Sequence, residues 1–84
     1  MNRIVWQPKA FRQLKKVADE KTRRDIYAAV DALTRWPDCQ GVKALQDRPG
    51  YRLRVGDWRV IFAVHQAVRV VEIQEVRRRN ERTY

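Results

Sequence analysis

The stretch Tyr51-Arg52-Leu53-Arg54-Val55-Gly56-Asp57-Trp58-Arg59-Val60-Ile61-Phe62 decides the fold. Apolar and polar residues alternate up to Gly56-Asp57, and an apolar run follows. A period of two marks a strand with one buried face. A two-residue Gly-X loop between such runs signals a hairpin, because glycine supplies the positive φ of a II′ turn. With Gly56 and Asp57 as the loop, the register follows. Val55 lies opposite Trp58, Arg54 opposite Arg59, Leu53 opposite Val60, and Arg52 opposite Ile61. One face then carries Tyr51, Leu53, Val55, Trp58, Val60 and Phe62. The other carries Arg52, Arg54 and Arg59. Like charges directly opposite each other destabilise a hairpin. Sequences that break a local rule this openly tend to do so at functional sites, and the cluster reads as a receptor for an anion.

On the N-terminal side, Arg3 to Trp6 reads as a short strand. Pro8 then opens a helix, where its missing N–H costs nothing. Ala10, Phe11, Leu14, Val17 and Ala18 fall on one helical face. After a polar link, Asp19 to Lys21, a second helix is expected, with Thr22 or Asp25 at its start. Ile26, Ala29, Val30 and Leu33 line its buried side, and Pro37 stops it near Trp36. The link is short, so the helices form an antiparallel pair. Asp38 to Pro49 reads as an irregular linker. Strands are expected at Tyr51–Val55, Trp58–Val64 and Val68–Val76, with His65-Gln66-Ala67 as a second turn. The expected fold is α+β. An antiparallel sheet carries the N-terminal helical hairpin on one face, in the order βααβββ, and leaves the arginine face open.

The chain has 84 residues, which suits one domain over residues 1–84 with a small core. A net charge of +9 speaks to partners. Nucleic acid comes first and an acidic protein second. A membrane is not expected, because there is no broad basic amphipathic helix and no apolar run of about 18 residues. The segment Asn2-Arg3-Ile4-Val5-Trp6 is followed at once by polar residues, unlike a signal peptide. The expected location is cytoplasmic. One histidine and one cysteine argue against a zinc site, and no cofactor is expected.

The segments Lys43-Ala44-Leu45-Gln46-Asp47, Tyr51 to Phe62, and Val76-Arg77-Arg78-Arg79 with Tyr84 together resemble the RelE/ParE superfamily of bacterial toxins. The resemblance covers nearly the whole chain. It implies a helical hairpin on a sheet and a cognate antitoxin protein that wraps the toxin. The RelE branch implies a ribosome-dependent endoribonuclease (an mRNA interferase) whose partners are the ribosome and mRNA. The ParE branch implies inhibition of DNA gyrase without nuclease chemistry. A third reading is a non-toxic remnant that still binds nucleic acid or antitoxin. By resemblance, the RelE-type catalytic positions fall on Arg52, Arg54, Arg59, Arg79 and Tyr84. The basic pair is Arg-Arg here, where RelE has lysines. Lys43, Arg77, Arg78 and Arg82 are expected to add RNA contacts.

Cleavage by a 2′-hydroxyl needs a proton acceptor, stabilisation of the phosphorane charge, and departure of the 5′-oxygen. The planar fork of arginine suits the second task. It does not suit the first, because it stays protonated. Tyr84 is the candidate base, or else a platform on which a nucleobase stacks. His65 invites a base role but lies roughly 20 Å beyond Arg59 on an extended strand. Trp6, Trp36, Trp58 and Phe62 read as core residues. Cys39 has no base beside it in sequence.

Overall fold

The computed structural model describes residues 1–78. The elements in chain order are β1 (Arg3–Trp6), α1 (Pro8–Lys15), α2 (Glu20–Asp31), β2 (Val42–Ala44), β3 (Tyr51–Val55), β4 (Trp58–His65) and β5 (Val70–Arg78). Short 3-10 turns at Ala32–Arg35 and Gln66–Val68 link α2 to the sheet and β4 to β5.

The expected hairpin is present with its register intact: Arg54 pairs with Arg59, Arg52 with Ile61, and Val55 with Trp58. The wider sheet corrects the expectation of an antiparallel βααβββ fold. It has five strands in the order β1-β5-β4-β3-β2, and β1 runs parallel to β5. Periodicity reveals a strand but not its partner or direction, so only the local hairpin could be registered in advance. The fifth strand, β2, lies inside the segment read as linker. Its three residues are too few to show a period, and β3 holds it through pairs such as Lys43 with Arg52.

The helices follow the sequence with shifted ends. Pro8 stands in the first turn of α1. Thr22 stands in the first turn of α2 as expected, while the cap itself is Asp19, whose carboxylate accepts from the Thr22 N–H at 3.1 Å. A cap of this kind is worth about 1 kcal/mol. Ala10, Leu14, Val17, Ile26, Val30 and Leu33 pack on Leu53, Val60, Phe62, Val71, Ile73 and Val76 in one core. Phe11, placed on the buried face by its spacing, is 45% exposed. Trp36, Tyr51 and Phe62 form an aromatic cluster, with Trp36 and Tyr51 centroids 4.6 Å apart.

Strand β1 ends at Trp6, where β5 still has five residues to run. Helix α1 takes over the exposed edge. The Gln7 N–H donates to the Ile73 carbonyl at 2.9 Å, and the Val76 N–H donates to Gln13 Oε1 at 2.7 Å. Between these points Ile61 pairs with Glu75 but Phe62 with Ile73, so Gln74 is the extra residue of a bulge.

Candidate nucleic-acid interface

The sheet face away from the helices carries two rows of cations. In one row Arg54, Arg59 and Arg77 are paired across three strands. In the other, Lys43 pairs with Arg52, which pairs with Ile61, which pairs with Glu75. The rows are two residues apart along β3, roughly 6.6 Å. Arg54 and Lys43 are exposed, while Arg52 and Arg59 are half-buried. Gly41, Val42, Lys43, Asp57 and the three hairpin arginines line a basin of ≈ 600 Å³. Three guanidiniums in one row repel one another, and an incoming phosphate would relieve that repulsion through bidentate hydrogen bonds.

The II′ turn holds this row in place. Gly56 has φ 57, whereas Asp57 is not among the residues of positive φ. A Cβ on Gly56 would meet nothing within 4 Å, so the turn needs glycine for its dihedral alone. Gly56→Ala is expected to lower stability by about 1–2 kcal/mol, read as a lower urea midpoint.

Glu75 stands on the β5 side of the same face, paired with Ile61. Its carboxylate meets Lys9 at 3.7 Å, Arg48 at 3.8 Å and Arg77 at 3.6 Å. The Arg48 bridge comes from the loop before β3 and crosses β4 in the row of Ile61. Ile61, which lies outside the core cluster, is 2% exposed. Sequence reasoning missed Arg48, Glu75 and Asp57. Only Asp57 left a signal, since it stands two residues before Arg59.

Of the two arginines expected to contact RNA from this strand, Arg77 lies on the arginine face and Arg78 does not. It pairs with Trp58 and lies over that indole, 5.5 Å from the ring centroid, on the helix side of the sheet. Arg79, Arg82 and Tyr84 lie outside the described residues. His65 sits at the far end of β4, where its Nε2 is 3.0 Å from Glu72 Oε1. Gln7 donates to the other oxygen of Glu72 at 2.7 Å. The Gln7 hydrogen bond first, and the one with His65 second, hold the Glu72 carboxyl below its ordinary 4.5. Both residues therefore belong to a polar cluster apart from the arginines. Cys39 lies beside the Ala32 carbonyl, and burial pushes its thiol pKa up. Among the described residues no group of His, Cys, Asp and Glu could hold a metal, and no helix is long and apolar enough to cross a membrane.

The sequence pattern of the ParE toxin of type II toxin–antitoxin systems, parDE, matches residues 4–83. The chain belongs to the RelE/ParE toxin superfamily. Solved structures share its fold. RelE in the archaeal RelE–RelB complex from Pyrococcus horikoshii OT3 superposes with a TM-score of 0.81 at 23% identity, over 96% of this chain and 98% of that one. The isolated E. coli RelE toxin gives 0.80 at 16% identity, over 99% and 88%. The YoeB/ParE toxin from Agrobacterium tumefaciens gives 0.75 at 18% identity, over 90% and 96%. Among curated proteins compared by sequence, none matches the toxin.

Proposed function

We propose that this toxin is a ribosome-dependent endoribonuclease that cuts mRNA by attack of a 2′-hydroxyl on the adjacent phosphate. The two registered cation rows carry this reading. Their separation is close to the step between neighbouring phosphates of a single RNA strand. The row Arg54–Arg59–Arg77 would then bind the scissile phosphate, and Lys43 with Arg52 the next one. Arg59 takes the central place, flanked by a cation on each neighbouring strand. Fixed guanidiniums stabilise charge where it develops without reorganising during the reaction. The ribosome would hold the message in line for attack, which lowers the barrier further. Arg79 and Tyr84 keep the roles that the resemblance implies, charge stabilisation and either base or stacking platform.

The test is a cell-free translation of one defined message, with and without ribosomes, with cut sites mapped by primer extension. Cuts in frame with codons, seen only when ribosomes are present, support the reading. Intact message in the presence of the active toxin refutes it. The ParE description of the matching family pattern favours a second reading, inhibition of DNA gyrase. It predicts intact message together with lost supercoiling activity.

A cognate antitoxin is the partner under either reading, since the P. horikoshii and M. tuberculosis RelE relatives are solved as toxin–antitoxin complexes. An acidic or amphipathic segment would cover the arginine face or the groove between the helices. In that groove Phe11 and Tyr27 stand 45% and 55% exposed beside Lys15, Arg23 and Arg24.

The position of β5 separates two adjacent arginines. Arg77→Ala is expected to weaken single-stranded RNA binding and to reduce the slope of log affinity against log salt by about 1. Arg78→Ala, on the other face, should leave that slope unchanged. Fluorescence anisotropy across a salt series checks both.

A further inference from the structure

The arginine face has an obvious deficit. It can bind a phosphate and stabilise its charge, but a guanidinium cannot take the proton of a 2′-hydroxyl. Two carboxylates border it. Glu75 is engaged by Lys9, Arg48 and Arg77, and Ile61 separates it from Arg52 in register. Asp57 is different. It lines the basin with Lys43, Arg52, Arg54 and Arg59. It is the second residue of the turn, immediately before β4. It also borders the smaller cavity on the helix side, which places it at the rim between the two. Its carboxylate makes no ion pair or hydrogen bond among the described residues, despite four cations around the same basin.

On the interferase reading above, we infer that Asp57 is the general base, which leaves to Tyr84 the role of stacking platform. Its carboxylate takes the proton of the 2′-hydroxyl as the O2′–P bond forms. The P–O5′ bond breaks, and water protonates the departing 5′-oxygen. The products are a 2′,3′-cyclic phosphate and a 5′-hydroxyl, and nothing is oxidised or reduced. The turn fixes the backbone of Asp57, so the base is held beside the Arg54–Arg59 pair, one residue pair beyond it at the hairpin end. Asp57 is also an anionic group in the lining of the basin that the RNA must approach. It opposes binding while it promotes the chemistry.

That opposition supplies the test. Asp57→Asn keeps a residue that turns favour and removes the charge. The full-length variant is compared with the parent on the defined message in the ribosome-programmed assay, and for binding to the same message with 2′-deoxy substitution at the cut site. Cleavage is expected to fall roughly 100-fold or more, while the 2′-deoxy message binds as tightly or tighter. Asp57→Glu should recover part of the rate. Undiminished cleavage by Asp57→Asn overturns the assignment and leaves the interferase reading standing. Parallel loss of binding and cleavage also overturns it, because Asp57 would then only maintain the turn. Absence of cutting by the parent toxin removes the interferase reading, and the base with it.

Discussion

Replacing Arg59 by alanine is expected to lower mRNA cleavage by roughly 100- to 1,000-fold, the usual effect of removing one preorganised donor from a developing oxyanion. Arg59 holds the centre of the Arg54–Arg59–Arg77 row, so its loss leaves a gap that neither neighbour fills. The fold should respond far less. Its side chain belongs to the face away from the core, and its loss relieves repulsion from both neighbours. Some packing of its aliphatic stem is lost in return. Urea unfolding and cleavage measured on the same preparation separate the effects. If residual cleavage merely tracks the folded fraction, Arg59 is structural and the arginine face is not the site.

What could be read from sequence divides along physical lines. The hairpin was legible because turn and period are local: Gly56 fixes the loop, and every pair from Val55–Trp58 to Tyr51–Phe62 follows from it. The parallel pairing of β1 with β5 was not legible, because no local signal links Ile4 to Val71. The site divides in the same way. Arg52, Arg54 and Arg59 were placed by the hairpin alone. The fates of Arg77 and Arg78 depended on the bulge at Gln74. Strict alternation from Val71 and Ile73 would send Arg77 toward the helices and Arg78 away from them. The extra residue reverses both, so Val76 is buried and Arg77 meets Arg59. Glu75 and Arg48 act through a contact across β4 that no spacing reveals.

Phe62→Ala should show the other half of β4. Phe62 is fully buried and lies opposite Tyr51 on one side and Ile73 on the other. Its ring stacks on Tyr51 at 5.6 Å and meets Trp36 edge-on at 5.8 Å. Truncation removes the centre of that cluster and leaves a cavity between Trp36 and Tyr51. The expected loss is about 3–5 kcal/mol, against a total of about 5–15 kcal/mol for a native domain. A small core places this chain toward the lower end of that range. Phe62→Ala should therefore be largely unfolded at 37 °C, with weak tertiary circular dichroism and a low urea midpoint. Cleavage should fall only in proportion to the folded fraction, unlike Arg59→Ala. A Phe62→Ala protein with the parent's urea midpoint would show that the helices do not pack on β4 as described. Arg59 and Phe62 stand three residues apart on opposite faces of one strand. One is predicted to remove function without the fold, and the other to remove function only through the fold.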